Sequence, residues 1–108
     1  MRIGRRSRDI IIKSNPMKIS LRTIGDLRDY FGREPAEIVL ADNAIMEDLL
    51  SEIDSRWGLI LPNYLWNRQE KRFRGGVVLM TNKTVIRDLK SPLQDGIEIQ
   101  IMRAIAGG

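Results

Sequence analysis

Cysteine and histidine are both missing from these 108 residues. Without cysteine there is no disulfide, no thiolate metal site and no thiol nucleophile, and sulfur cannot be carried on a side chain. Without histidine the commonest general base and metal ligand are gone, and with them any Ser-His-Asp triad. Carboxylates and lysines remain, and nothing in their order suggests a self-contained active site, so we expect no enzyme in its own right and no bound metal or cofactor. Long apolar runs are missing too: none approaches the roughly 20 residues of a membrane-spanning helix. The arginines near the N-terminus are not followed by the roughly 7–15 apolar residues of a secretory signal. A cytoplasmic protein without a membrane partner is expected.

What is present fits one soluble globular domain, with 43% hydrophobic and 30% charged residues. The net charge is +4 and the calculated isoelectric point is near 9.9. Arg2, Arg5, Arg6, Arg8 and Lys13 against Asp9 account for all of the excess, so residues 17–108 are neutral. The basicity therefore belongs to an extension over residues 1–16, ending at Pro16. Such an arm suits nucleic acid or an acidic partner, or is simply solvated. Met17 is an alternative first residue, and Ile10 to Ile12 could add a short edge strand.

From Met17 the pattern becomes regular. In "MKISLRTI", Met17, Ile19 and Leu21 alternate with Lys18, Ser20 and Arg22, the period of a half-buried strand. "GDLRDYFG" (Gly25 to Gly32) places Leu27, Tyr30 and Phe31 on one face of a short helix closed by Gly32. "AEIVLAD" (Ala36 to Asp42) reads as a second strand. "DNAIMEDLLSEIDSRWG" (Asp42 to Gly58) repeats Ile45, Leu49, Ile53 and Trp57 every four residues, a helix with one apolar stripe. Asp42 or Asn43 is expected to cap it and Gly58 to stop it.

"LILPNYLWNRQEKRFRGG" (Leu59 to Gly76) mixes Tyr64 and Trp66, expected to be exposed, with Arg68, Lys71, Arg72 and Arg74. It reads either as a solvated loop over the core or as a surface for single-stranded nucleic acid. "VVLMTNKTVIRDL" (Val77 to Leu89) is a strand, a turn at Asn82-Lys83 and a second short strand, and "SPLQDG" (Ser91 to Gly96) is another turn. In "IEIQIMR", Ile97, Ile99 and Ile101 point inward and Glu98, Gln100 and Met102 outward, so Met102 is an apolar exception on a wet face. The order predicts an α+β domain over residues 17–103. A mixed sheet of four to five strands would carry the long helix across one face, with the final strand beside the first.

Beyond Arg103 the sequence closes with "AIAGG". A strand held in a sheet fixes the base of this stretch, so residues 104–108 are expected to be a flexible tail. Two glycines make its tip slim enough to enter a channel that side chains would block. In a chain without Cys or His, the Gly108 carboxylate is the one plausible place for chemistry.

These features carry a resemblance. "SRWGL" (Ser55 to Leu59) resembles the exit of the long helix in the MoaD/ThiS family of ubiquitin-like sulfur carriers. "TNKTVI" (Thr81 to Ile86) resembles that family's turn between strands, and "PLQDGIEIQIMRAIAGG" (Pro92 to Gly108) its ending. The likeness spans residues 17–108 and is nearest to MoaD, the small subunit of molybdopterin synthase; the short helix after the first strand favours that branch. It implies a β-grasp fold and a carrier whose Gly108 carboxylate is adenylated, with ATP, by a ubiquitin-activating-type (MoeB-like) enzyme. The adenylate becomes a thiocarboxylate that gives sulfur to a pterin precursor in a large (MoaE-like) synthase subunit or another acceptor.

By the same resemblance Gly107 gives clearance, and Arg103, Ala104, Ile105 and Ala106 line the partner's channel. Met102 and Val85 fall where the family presents apolar side chains to its partners. There are departures. Arg22-Thr23 replaces bulky apolar residues at the end of the first strand. Arg103-Ala104 replaces Pro-Pro before the tail, which should leave the tail less stiff. Ala44 stands at the helix entry where Thr or Ser is usual. Two other readings stay open: a protein modifier joined to lysines through Gly108, and a small nucleic-acid-binding module using Arg2–Arg8 and Arg68–Arg74.

Overall fold

The structure, a computed structural model, describes residues 16–104. The expectations for residues 1–15, including the edge strand at Ile10–Ile12, and for Ile105, Ala106, Gly107 and Gly108 lie outside the described residues.

The alternating segments form strands where the period of two predicts them. Strand β1 (Met17–Thr23) buries Met17, Ile19, Leu21 and Thr23 and turns Lys18 and Arg22 to solvent. A 3-10 turn (Gly25–Leu27) runs into the one-turn helix α1 (Arg28–Phe31), which buries Leu27 and Phe31. Gly32 then reverses the chain at a φ of 99°, a conformation open to residues without a Cβ. Strand β2 (Ala36–Leu40) returns antiparallel to β1, in a register that places Ile19 opposite Ile38.

Helix α2 (Met46–Trp57) buries Leu49 and Ile53 of the expected stripe, together with Met46 and Leu50, while Ile45 and Trp57 are half-buried. Its start differs from the expectation. Ile45, not Asp42 or Asn43, is the N-cap, and Asn43 is instead in a turn at a φ of 71°. A distant loop does the capping: the Met46 N–H donates to the Ser91 carbonyl (2.9 Å) and the Glu47 N–H to that of Leu89 (3.0 Å). Asp48 reaches back so that its carboxylate accepts the Ile45 N–H at 2.9 Å. Tertiary carbonyls thus replace the side-chain cap that local sequence favours. Gly58 follows in ordinary right-handed geometry. It is required for space, since a Cβ there would run into the carboxylate and carbonyl of Asp54.

The stretch from Leu59 to Gly76 is neither a solvated loop nor exposed at Trp66. Strands β3 (Trp66–Asn67) and β4 (Arg72–Phe73) make a small hairpin, and Leu61, Leu65 and Trp66 are buried in the core. The Trp66 ring meets Phe73 edge-on, with centroids 4.8 Å apart. Phe31 bridges onward to Phe73 (6.3 Å) and Trp57 (4.6 Å). This aromatic row closes one end of the core. Its polar tie is Asp54, whose carboxylate accepts the Trp66 indole N–H at 2.8 Å and Arg68 Nε at 3.3 Å. The indole bond, then the Arg68 contact, hold the Asp54 carboxyl below its ordinary pKa. All four basic side chains of this stretch are exposed, Arg68 tied to Asp54 and Arg74 to the Asn63 carbonyl at 3.1 Å.

Strands β5 (Val77–Thr81), β6 (Thr84–Val85) and β7 (Glu98–Arg103) complete the main sheet in the order β2-β1-β7-β5-β6. Asn82 and Lys83 both have positive φ (50° and 65°), the geometry of a tight two-residue hairpin turn. β7 lies centrally, parallel to β1 and antiparallel to β5. The expected α+β architecture is therefore observed: a mixed five-stranded β-grasp sheet with one long helix over one face and a short helix after β1. Ile99 and Ile101 are fully buried on the helix side, with Leu79 beside Ile101.

Candidate functional site

The open face of the sheet, away from α2, is divided. In the register of β2, β1 and β7, Glu37, Ser20 and Glu98 lie side by side, and Arg22 pairs with Gln100. Arg22 Nε and the Glu98 carboxylate form an ion pair at 3.1 Å across this half. On the other half, Met102 lies opposite Val78, Gln100 opposite Met80, and Met80 opposite Val85. Val78, Met80, Val85 and Met102 thus share one face and are each half-buried, with no helix over them among the described residues. The sequence singled out Met102 and Val85, and the structure brings them onto this one face. It adds Val78 and Met80, which sequence reasoning missed. The signal was the unbroken run Val77 to Met80, since a strand apolar at consecutive positions has two apolar faces.

This apolar strip leads to the point where the chain leaves the sheet. Arg103 ends β7 and is half-buried; Ala104 is exposed. The Ala104 N–H donates to the Gly76 carbonyl at 2.8 Å. Arg103 Nη1 lies 3.1 Å from the Asp26 carboxylate, and its guanidinium stands over the Tyr64 ring, 5.8 Å from the centroid. A shallow depression beside it is lined by Ile24, Gly25, Asp26, Met102 and Arg103. Asp26, Tyr64 and Gly76 were not foreseen, because each is more than 25 positions from Arg103 and no local pattern links them.

Among the described residues no group of three or more His, Cys, Asp or Glu side chains could hold a metal ion. No described helix is long and apolar enough to cross a membrane.

The fold and the placement of this strip define a ubiquitin-like β-grasp protein of the MoaD/ThiS type. The model of the ThiS family matches residues 21–108, and the chain belongs to that family. A search of curated proteins gives no significant match. Among solved structures, the chain is similar to small archaeal modifier protein 1 of Haloferax volcanii (12% identity, TM-score 0.66, covering 82% of this chain and 99% of that one). A Pyrococcus furiosus protein described as molybdopterin converting factor subunit 1 is similar at 19% identity and a TM-score of 0.63, over 82% and 99% of the two chains. A third similar structure is the complex of subunits 1 and 2 of the molybdopterin-converting factor of Helicobacter pylori (20%, TM-score 0.55, 85% and 100%). At these identities the structural likeness carries the fold. Family membership makes the chain a sulfur carrier or a ubiquitin-like modifier that is not on its own an enzyme.

Proposed function

We propose that this chain is a sulfur carrier in the biosynthesis of molybdopterin or its tungsten counterpart, with the carboxylate of Gly108 as the group that reacts. An adenylating enzyme of the ubiquitin-activating (MoeB-like) type would use ATP to form the acyl adenylate. A sulfur nucleophile would then displace AMP, leaving a thiocarboxylate. The chain would dock through Met102, Val85, Val78 and Met80. Arg103, Ala104, Ile105 and Ala106 would enter the partner's channel, and Gly107 would clear its narrowest part. A large subunit of the MoaE type, or another acceptor, would receive the sulfur.

The observation that carries this reading is the course of β7: one strand supplies Met102 to the half-exposed apolar strip and then reaches solvent at Ala104. A binding surface and a reactive arm on the same strand suit a protein whose end is worked on by another. The Gly107-Gly108 doublet falls inside the segment matched by the family model. The chemistry also fits a chain with no Cys or His, because activation comes from ATP and sulfur from outside.

The likeness to the archaeal modifier proteins supports a second reading, in which the same adenylate is attacked by a lysine amine and an isopeptide bond forms. The test is the mass of the C-terminal peptide recovered from cells. Sulfur in place of one oxygen on Gly108 supports the carrier. A branched peptide with a lysine of another protein supports the modifier. A Gly108 carboxylate that is free under all conditions contradicts both.

A further inference from the structure

The resemblance implied a looser tail base, because Arg103-Ala104 stands where prolines are usual. The structure shows a base held by contacts instead. Three separate parts of the chain converge on Arg103 and Ala104. Asp26 comes from the turn after β1, where the Ile24 N–H donates to the Ile101 carbonyl at 3.0 Å and Gly25 turns at a φ of 76°. Tyr64 comes from the stretch that covers the core. It is 57% exposed, and the face of its ring lies under the Arg103 guanidinium. The nearby Tyr64 hydroxyl, with lesser contributions, raises the Tyr30 pKa.

Gly75 and Gly76 bring the third part in. Both have positive φ (68° and 78°). A Cβ on Gly75 would lie 2.6 Å from the Tyr64 carbonyl oxygen, and one on Gly76 2.9 Å from that of Ala104. Only a backbone free of side chains here can come close enough for the Gly76 carbonyl to hold the Ala104 N–H.

We propose that Asp26, Tyr64 and Gly76 form a collar that positions the tail, fixing the direction in which the chain leaves β7. A proline fixes that direction through its own ring. Here the backbone is held by one hydrogen bond from behind, and the Arg103 side chain by a carboxylate and an aromatic face. A guanidinium can use both contacts at once, whereas a lysine ammonium would lack the planar stacking surface. The value of this collar to function rests on the carrier reading above, in which a partner must receive the tail. Asp26, Tyr64 and Gly76 are then positioning residues that never touch the reacting carboxylate.

The test uses the full chain, labelled with nitrogen-15, as wild type, D26N, Y64L and the double variant. Each exposed contact is expected to contribute less than about a fivefold effect alone. The double variant should speed exchange of the Ala104 amide by about tenfold and lower the order of the Arg103 and Ala104 amides, with Ile99 and Ile101 unchanged. With ATP and an adenylating enzyme, its KM for the chain should rise by a similar factor at constant kcat, and Y64F, which keeps the ring face, should stay near wild type. Unchanged Ala104 exchange would overturn the collar, and faster exchange with an unchanged KM would overturn its positioning role. If the wild-type chain is not adenylated at all, the carrier reading falls, and the amide measurements still decide whether the collar exists.

Discussion

The two faces of the sheet are built from the same strands and do different work. On the helix side, Ile19, Leu21, Leu79, Ile99 and Ile101 are sealed under α2 and the aromatic row. On the open side, β7 carries Glu98, Gln100 and Met102, and β5 carries Val78 and Met80. Alternation sends neighbouring residues of one strand to opposite faces, so a strand can serve stability and binding without compromise. The contrast is sharpest at Ile101 and Met102: one is fully buried, and its neighbour is half-exposed on the opposite face. The open face is itself split, with the Arg22–Glu98 pair on one half and four apolar side chains on the other. In the proposed function, that asymmetry would give a partner an orientation as well as a surface.

The largest effect should come from the sealed side. Ile99→Ala leaves a cavity with no freedom to collapse and should destabilise the chain by about 3 kcal/mol in urea denaturation. Next comes the aromatic end of the core. Asp54→Ala strands the buried Trp66 indole N–H and should cost about 2 kcal/mol. Because the folded Asp54 pKa is lowered, its stabilisation is complete above the ordinary carboxylate pKa of about 4 and is lost as pH falls through the lower folded value. An Asp54→Asn chain should therefore lose less stability than wild type in an acid titration followed by fluorescence.

Gly76→Ala should cost about 1–3 kcal/mol, from strain at positive φ and the clash with Ala104, and should speed exchange of the Ala104 amide. The smallest effect on stability belongs to the open side. Met102→Asp should change it by less than about 1 kcal/mol, yet weaken partner binding at least about tenfold in calorimetry, as expected for the centre of an interface. The comparison breaks if Met102→Asp destabilises as much as Ile99→Ala, or if it leaves binding intact.

The elements with strict periods were legible before any coordinates. β1 and β7 follow from their alternation, α2 from its four-residue repeat, and the tight turn from Asn82-Lys83 between apolar runs. Met102 was legible as an apolar residue on a polar face. What was hidden depends on contacts between distant positions. Trp66 looks exposed beside Asn67 and Arg68, and only Asp54, twelve positions earlier, makes its burial affordable. The helix start was misplaced because Ser91 and Leu89 carbonyls took the role assigned to Asp42 or Asn43. The collar was invisible because Asp26 and Arg103 are 77 positions apart. Local chemistry announces elements, while a site assembled from several elements appears only with the fold.

The most direct test is the intact mass of the purified chain after incubation with ATP, a candidate adenylating enzyme and a sulfur source. The account predicts exchange of one oxygen for one sulfur, located at Gly108, abolished by removing Gly107 and Gly108 and diminished by Met102→Asp. No mass change with any of several adenylating enzymes, or sulfur acquired by a chain lacking the two glycines, would contradict it.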